Sequence, residues 1–169
     1  MPKHTLIIVR HAKAQDYASG TDDKRALTNA GKVQARKLGI ALRSALAGLD
    51  DAFISPATRA RQTWEALSSG SGVDPATVNI HVEPVIYSAS PSQIWDAVRI
   101  ESTGTTSIVV GHEPTVSELA RRLLKEDEDS PVSWGMPTGS AIVISSDRDW
   151  NEWHPHCADL EGFEHVSHA

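Results

Sequence analysis

The sequence has 169 residues, of which 40% are hydrophobic and 22% charged, and this composition predicts one globular domain over residues 1–169. Its net charge of −6 argues against nucleic acid as a partner, because such binding depends on basic surfaces. No apolar run is long enough for a signal peptide or a membrane span, so we expect a cytoplasmic protein without a membrane partner.

The first predicted element is a buried strand at residues 6–9, which leads directly into Arg10 and His11. Ligands of open α/β sheets bind at the carboxyl ends of the strands, and this places both residues at a candidate site. Taken alone, a histidine after a strand favours a hydrogen-bonded turn residue. A polar loop is expected at residues 13–25, followed by a helix from the cap Thr28 to about residue 46.

A second short strand is predicted at residues 51–54, and Ser55-Pro56 after it is typical of a helix start, with Ser55 as the cap. Arg59 then falls in or just after the first turn, where free N–H groups favour a bound anion. Gly70 and Gly72 predict a loop over residues 68–74.

The next predicted strand, at residues 78–82, lies nearer an edge of the sheet and precedes Glu83. Ser90-Pro91 indicates another helix start. A buried strand at residues 107–110 ends in Gly111-His112, so a second histidine follows a strand. A helix then opens at Pro114.

The remaining chain predicts an acidic loop at residues 126–129 and a last clear strand at residues 140–144. Residues 150–153 are expected to continue that strand or pair with it, and the tail from residue 154 has little pattern. Strands and helices alternate about four times, which favours a three-layer α/β/α sandwich with a mainly parallel central sheet.

Two arginines, two histidines and a helix N-terminus suit a phosphoryl group. The guanidinium of arginine presents a planar set of donors that matches phosphate oxygens, and it keeps its charge near neutral pH. Histidine serves as a nucleophile when one ring nitrogen is held as a donor and the other stays unprotonated.

Three motifs resemble the signatures of the histidine phosphatase superfamily. They are Arg10-His11-Ala12 after a strand, the segment from Ser55 to Thr63 with Arg59 in its R-A-x-Q-T part, and Val110-Gly111-His112-Glu113-Pro114. The R-x-L-T element that begins at Arg25 and the short length are similar to the SixA-type phosphohistidine phosphatases. The resemblance covers residues 5 to about 145 and implies a phosphoglycerate mutase-like fold.

The resemblance also implies roles for the matching residues. His11 would be the nucleophile that becomes phosphorylated, Arg10 and Arg59 would hold the phosphoryl oxygens, and His112 would donate to them in the transition state. It implies no cofactor and no metal, because arginine and histidine supply the positive charge.

Four further residues are weaker candidates. Arg25, Lys13 and Thr115 are candidates for substrate binding, and a capping or surface role is as good an interpretation of Arg25. Larger members of the superfamily carry a glutamate that protonates the leaving group, and Glu83 occupies roughly that region. A phosphohistidine substrate needs such an acid less, since imidazole leaves more readily than an alkoxide.

The expected function is a phosphatase that acts through phospho-His11, with a phosphohistidine-bearing protein as the preferred substrate and partner. The alternative is a phosphatase for a small phosphorylated metabolite, such as a sugar phosphate, a phosphoglycerate derivative or a nucleotide. A non-catalytic phosphate-binding protein is a third interpretation, although binding alone would not require a nucleophile.

Overall fold

The structure is a computed structural model that describes residues 3–17, 20–88, 90–126 and 130–168. Its six strands are β1 (His4–Arg10), β2 (Asp51–Ile54), β3 (Asn79–Val82), β4 (Thr106–Gly111), β5 (Ser140–Ser146) and β6 (Asp159–His165). They form one sheet in the order β3-β2-β4-β1-β5-β6. The pairs among β1 to β4 are parallel, whereas β5 is antiparallel to β1 and β6. The predicted mainly parallel sheet is therefore confirmed.

Helices cover both faces of this sheet. The described helices are α1 (Asn29–Ala41), α2 (Arg43–Leu46), α3 (Thr58–Ser71), α4 (Pro84–Ser88), α5 (Pro91–Glu101) and α6 (Thr115–Leu123). Alternate residues of β1 enter two separate cores: Leu6 and Ile8 pack with side chains of α5 and α6, whereas Ile7 and Val9 pack with those of α1 to α3. Because successive side chains of a strand point to opposite faces, the predicted three layers follow.

The first predicted helix is interrupted. Thr28 caps α1 as expected, since its hydroxyl accepts a hydrogen bond from the N–H of Gly31 at 2.9 Å. However, α1 ends at Ala41, and Leu42 separates it from α2. Leu42 and Leu46 are both buried at helical spacing, which explains why the sequence pattern indicates one continuous helix.

The next helix, α3, begins and ends later than predicted. Its N-cap is Ala57, without a side-chain hydrogen bond, so the prediction that Ser55 caps this helix is wrong. The Ser55 hydroxyl instead accepts a hydrogen bond from the N–H of Ala57 and contacts His112. The loop predicted from residue 68 is also wrong at its start, because α3 continues to Ser71 and ends at Gly72 with a φ of 81°.

Helices α1 and α3 approach each other closely at two glycines. A Cβ atom on Gly39 would lie 2.0 Å from the carbonyl oxygen of Leu67, and one on Gly70 would lie 2.0 Å from that of Arg36. Only a residue without a side chain permits this backbone contact. This contact explains why Gly70, which indicates a loop in the sequence, lies inside a helix.

We expect Gly39→Ala to lower the free energy of unfolding by about 1 to 3 kcal/mol, although alanine favours a helix, because its methyl group forces the two backbones apart. Urea unfolding of the purified proteins measures this. Gly162→Ala is the control, since a Cβ atom there meets nothing within 4 Å. Equal losses in the two variants would contradict the packing argument.

The C-terminal part also differs from the prediction. Trp150 begins a short 3-10 helix (Trp150–Glu152) and packs against Trp95 and Trp153, so residues 150–153 neither extend β5 nor pair with it. The tail contains β6, which pairs with β5. Most residues of this edge strand are exposed and it includes Gly162, so neither alternation nor hydrophobicity marks it.

Glu126 is the last described residue of the predicted acidic loop, whose residues 127–129 lie outside the described part of the chain. Within the described ranges, we find no helix with the length and apolar character needed to cross a membrane.

Candidate active site

Two neighbouring parallel strands and one helix place four of the predicted site residues at one edge of the sheet. Arg10 is the last residue of β1, His11 follows it, and His112 follows β4. Arg59 is the second residue of α3, the helix after β2. The ring centroids of His11 and His112 are 5.3 Å apart, and the charge of Arg59 acts on both rings. The sequence-predicted groups thus lie together where open α/β sheets bind ligands.

His11 is held in one orientation. Its backbone N–H donates to the carbonyl of Gly111 at 3.0 Å, and its own carbonyl accepts from the N–H of Gly139 at 3.1 Å. Its ring Nδ1 lies 2.7 Å from the carbonyl oxygen of Ala12. A carbonyl oxygen only accepts, so Nδ1 carries the hydrogen and Nε2 has the lone pair of the neutral ring.

Burial keeps the His11 ring uncharged. The imidazole is 6% exposed, and this burial, together with the positive charges of Arg59 and Arg10, lowers its pKa to about 3, although the hydrogen bond to the Ala12 carbonyl acts in the opposite direction. Desolvation disfavours a charged imidazole, and nearby cations disfavour it further. His11 is therefore neutral at physiological pH and can act as a nucleophile through Nε2.

The lowered pKa of His11 predicts a loss of stability in acid. Its folded pKa lies below the ordinary 6.5, so the unfolded chain binds the proton first as pH falls. The stabilisation is complete above about pH 6.5 and is lost towards pH 3. Between pH 6.5 and 5 we expect this residue to account for a loss of about 2 kcal/mol.

Urea unfolding at pH 6.5 and pH 5 measures this loss. The matched variant is His11→Asn, which removes the titrating group but keeps a polar side chain of similar size, so its free energy of unfolding should fall less over the same interval. The same pH dependence in both proteins would contradict a neutral, buried His11.

Arg59 is positioned by residues on two other segments. Its two terminal nitrogens donate to Asp22, one to the backbone carbonyl at 2.9 Å and one to the carboxylate at 3.0 Å. The Thr63 hydroxyl donates to the Arg59 carbonyl at 2.7 Å and accepts the N–H of Ala12 at 3.0 Å. This threonine therefore ties the start of α3 to the residue that follows the nucleophile candidate.

Arg10 contacts the loop that precedes β5. One terminal nitrogen donates to the carbonyl oxygen of Met136 at 2.9 Å. Burial lowers the pKa of the guanidinium, and the charge of Glu113 opposes this change. The Glu113 carboxylate itself accepts hydrogen bonds from the N–H of Met136 and from Ser117. Arg10 thus remains a cation with a fixed orientation.

His112 pairs with a serine that the sequence analysis assigned to a helix cap. Its Nε2 lies 2.7 Å from the hydroxyl oxygen of Ser55. Burial and the charge of Arg59 lower its pKa to about 4, although Asp22 opposes them. His112 is therefore neutral near pH 7, and only one of its nitrogens carries a hydrogen.

Three buried nitrogen atoms of these side chains have no hydrogen-bond partner among the described residues: Nε of Arg10, Nε of Arg59 and Nδ1 of His112. Buried polar atoms are nearly always paired in native proteins. Both Nε atoms are donors, and two guanidinium donors on different elements suit the oxygens of a phosphoryl group.

Asp22 and Tyr87 belong to the site although the sequence analysis names neither as a site residue. The Asp22 carboxylate accepts hydrogen bonds from Tyr87 at 2.8 Å, Arg59 at 3.0 Å and Arg25 at 3.2 Å. The bond from Tyr87, with those from the arginines, lowers the pKa of Asp22 to about 2. The Tyr87 ring, on α4, also lies edge-on to His112 with centroids 5.5 Å apart. No sequence pattern identifies these contacts.

The structure places the three weaker substrate-binding candidates differently. Arg25 lies at the rim of the candidate site, where it contacts Asp22 and its charge contributes to the lowered pKa of His112. Lys13 contributes through its backbone, because its carbonyl accepts the N–H of Thr28 at 3.0 Å. Thr115 is the first residue of α6 and is partly buried.

Glu83 lies after β3, where it approaches a different set of residues. A contact with Glu101, together with partial burial, raises its pKa. Glu83 forms a cluster with His81 and Glu101, in which one possible metal-ligand atom of each residue lies within 4.8 Å of the others. None of the other predicted site residues belongs to this cluster. Among the described residues, the pKa of Glu83 responds to Glu101 and His81 rather than to either site histidine. Its role as general acid stays a prediction.

Two glutamines with no assigned role in the sequence analysis anchor the site loops. The Gln62 carbonyl accepts the N–H of Leu27 at 2.7 Å, and the Gln34 carbonyl accepts that of Lys13 at 2.9 Å. The Gln34 amide also donates to the carbonyl of Thr138 at 3.0 Å. Gln62 lies inside the R-A-x-Q-T motif, so the motif itself could have indicated it.

The chain is similar in sequence to a known family and to known proteins. The sequence model of the histidine phosphatase superfamily (branch 1) matches residues 6–83. An uncharacterised protein of Mycobacterium tuberculosis is 35% identical over 162 residues, which cover 92% of this chain and 98% of that protein.

Solved structures have the same fold over nearly the whole chain. A protein from Nakamurella multipartitia, provisionally assigned as the phosphohistidine phosphatase SixA, has a TM-score of 0.83 at 25% identity and covers 98% of each chain. A provisionally assigned SixA from Agrobacterium tumefaciens has a TM-score of 0.78 at 23% identity, with 95% of this chain and 97% of that chain covered.

Proposed function

Because the chain belongs to the histidine phosphatase superfamily, we propose that it hydrolyses a phosphoryl group through a phosphohistidine intermediate on His11. The observation that carries this proposal is a neutral, oriented His11 whose ring is influenced by the charges of Arg10, Arg59 and His112, three side chains that each have a buried nitrogen without a described partner. A nucleophile and free donors around it are the two requirements of phosphoryl transfer to a side chain.

In the first step, Nε2 of His11 attacks phosphorus, a P–N bond forms, and the bond from phosphorus to the leaving group breaks. The leaving group takes a proton from solvent. In the second step, water attacks phospho-His11, the P–N bond breaks, and inorganic phosphate and neutral His11 result. Nδ1 keeps its hydrogen in both steps and donates it to the Ala12 carbonyl, and this hydrogen bond orients the ring.

The arginines stabilise the phosphoryl group during transfer. Nε–H of Arg10 and Nε–H of Arg59 donate to its oxygens, and the positive charge of both offsets the negative charge of the transferring group. In this proposal guanidinium groups do what a metal ion does in other phosphatases, and we expect a chelator to leave turnover unchanged.

We further propose that the substrate is phosphohistidine on a protein. Three carboxylates near this edge of the sheet are poor general acids or have other partners: Asp22 is kept ionised by its hydrogen bonds, Glu113 binds backbone and hydroxyl groups, and Glu83 contacts Glu101. None of them, within the described residues, hydrogen-bonds to His11 or His112. A site with little acid assistance favours imidazole over an alkoxide as the leaving group.

An exposed aromatic side chain supports a macromolecular substrate. Trp134 is 100% exposed, two residues before Met136, whose carbonyl binds Arg10. Tryptophan contributes strongly to protein interfaces, and here it precedes the segment whose backbone contacts Arg10. The likeness to the Nakamurella protein, provisionally assigned as a phosphohistidine phosphatase, supports the same substrate class.

A turnover panel tests this proposal. The purified protein is assayed with a phosphohistidine-bearing phosphotransfer domain and with phosphorylated sugars, glycerates and nucleotides, with His11→Ala as control. We expect the highest kcat/KM on the phosphotransfer domain. A higher value on a metabolite would instead make the protein a small-molecule phosphatase, and no turnover of any substrate would leave phosphate binding alone.

A further inference from the structure

Ser55 contacts His112, one of the two site histidines, through its side chain. It follows β2, is 0% exposed, and its backbone N–H donates to the carbonyl of Val110 at 3.1 Å, two residues before His112. Its hydroxyl oxygen lies 2.7 Å from Nε2 of that ring, a short hydrogen bond between neutral groups. The backbone hydrogen bond to β4 therefore fixes the position of Ser55, and the hydroxyl of Ser55 in turn orients the ring of His112.

The Ser55 hydroxyl has one hydrogen to donate, and its partners decide where that hydrogen goes. Within the described part of the chain, its oxygen has two hydrogen-bond contacts, the N–H of Ala57 at 3.2 Å and Nε2 of His112. The N–H of Ala57 is a donor, so it occupies a lone pair of the oxygen. The hydroxyl hydrogen is left with Nε2 as its acceptor.

We propose that Ser55 is a positioning residue that donates its hydroxyl hydrogen to Nε2 of His112 and thereby holds this histidine as the Nδ1–H tautomer. In the opposite tautomer, Nε2–H would point at Ser55, and the hydroxyl would be a buried donor without an acceptor. Burying such a group costs about 1 to 3 kcal/mol, so the Nδ1–H form is preferred.

In this tautomer Nδ1 of His112, which has no described partner, carries the hydrogen and can donate it. Nδ1 of His112 is buried and has no hydrogen-bond partner among the described residues, and the ring lies next to that of His11. A neutral imidazole with its hydrogen on Nδ1 offers that N–H to an oxygen of the transferring phosphoryl group. With the hydrogen on Nε2, the same atom would present a lone pair to the anion and repel it.

The tautomer can be measured without any turnover. In protein labelled with nitrogen-15, long-range proton–nitrogen correlations distinguish a protonated ring nitrogen from one with a lone pair, and the His112→Asn spectrum identifies the signals. We expect Nδ1 to be the protonated nitrogen at pH 7 in the wild type, and Ser55→Ala to increase the Nε2–H population. An Nε2–H tautomer in the wild type would overturn the proposal.

A kinetic comparison tests the consequence and rests on the proposed phosphatase function. We expect Ser55→Ala to lower kcat by about 10- to 100-fold, by analogy with partners that orient metal-bound histidines, whereas Ser55→Thr should retain the hydroxyl and much of the activity. Ser107→Ala is the control, because Ser107 is also 0% exposed with its hydroxyl 2.9 Å from that of Ser102, at the opposite end of β4.

The two measurements separate the two proposals. Wild-type kcat in a folded Ser55→Ala protein, or an equal loss in Ser107→Ala, would overturn the role of Ser55. If the wild type turns over no phosphorylated substrate, the proposed function fails, while the nitrogen spectrum still decides which tautomer Ser55 imposes. Thermal unfolding of each variant establishes that the protein compared is folded.

Discussion

The His11→Ala protein should lose turnover by about 10⁴-fold or more, since it lacks the proposed nucleophile, Nε2 of His11. The expected loss is in kcat, because the donors of Arg10 and Arg59 remain in place to bind the phosphoryl group. Quenched-flow experiments with radiolabelled substrate measure it directly: the wild type should carry label on a histidine during turnover, and the variant should carry none.

His154→Ala is the matched control for this substitution. His154 is exposed, and its ring contacts the carbonyl of the adjacent Pro155 rather than any residue of the site. Its removal should leave kcat within about twofold, as expected for a surface substitution away from the chemistry. Label retained on the His11→Ala protein during turnover would assign the nucleophile to another residue.

The same variant distinguishes an enzyme from a phosphate-binding protein. A binder would retain its affinity for inorganic phosphate in His11→Ala, and neither protein would show turnover. An enzyme would lose turnover and keep much of that affinity, because the guanidinium donors are unchanged. Turnover by the wild type therefore separates the two classes, and calorimetric titration with phosphate establishes that the binding site is still formed in the His11→Ala protein.

The strands and the local motifs could be predicted from the sequence because their signals are local. Four adjacent apolar residues mark β1, and the polar residues that follow it lie at the edge where ligands bind. His112 follows β4 for the same reason. A short segment of sequence contains both the strand and the group it presents, so no knowledge of distant contacts is required.

The remaining site residues depend on contacts between distant segments. Asp22 reaches Arg59 across 37 positions and Tyr87 across 65, and Ser55 reaches His112 across 57. An acidic residue in a polar loop predicts only a solvated surface, and a serine before proline predicts a helix cap. Their roles arise from the order of the strands, which brings β2 and β4 side by side.

Arg59→Ala should lower kcat/KM by about 10³-fold. The side chain is 6% exposed, its terminal nitrogens are held by Asp22, and its Nε has no partner among the described residues. In the proposed mechanism it contributes a preorganised donor and a positive charge to the phosphoryl group. Removing one such donor costs about 10² to 10³ in rate, and an arginine at phosphoryl transfer can contribute more.

Arg59→Lys separates the charge of this residue from its shape. Lysine keeps the positive charge, but one ammonium group cannot contact both the backbone and the carboxylate of Asp22 while also presenting an Nε–H donor. We therefore expect it to recover only part of the lost kcat/KM. Full recovery would mean that charge alone matters and that the guanidinium geometry does not.

Arg61→Ala is the control for both Arg59 variants, because Arg61 lies two residues further along α3 and its side chain is exposed. Its substitution removes the same charge from the same helix but no donor from the site. Screening by salt weakens interactions between exposed charges, so any small effect of Arg61→Ala should disappear at high ionic strength. The loss in Arg59→Ala should persist there, since the proposed contact of a buried donor with the phosphoryl group is screened far less. Equal losses in the two variants would show that the arginines act through the general field of the helix rather than through contact.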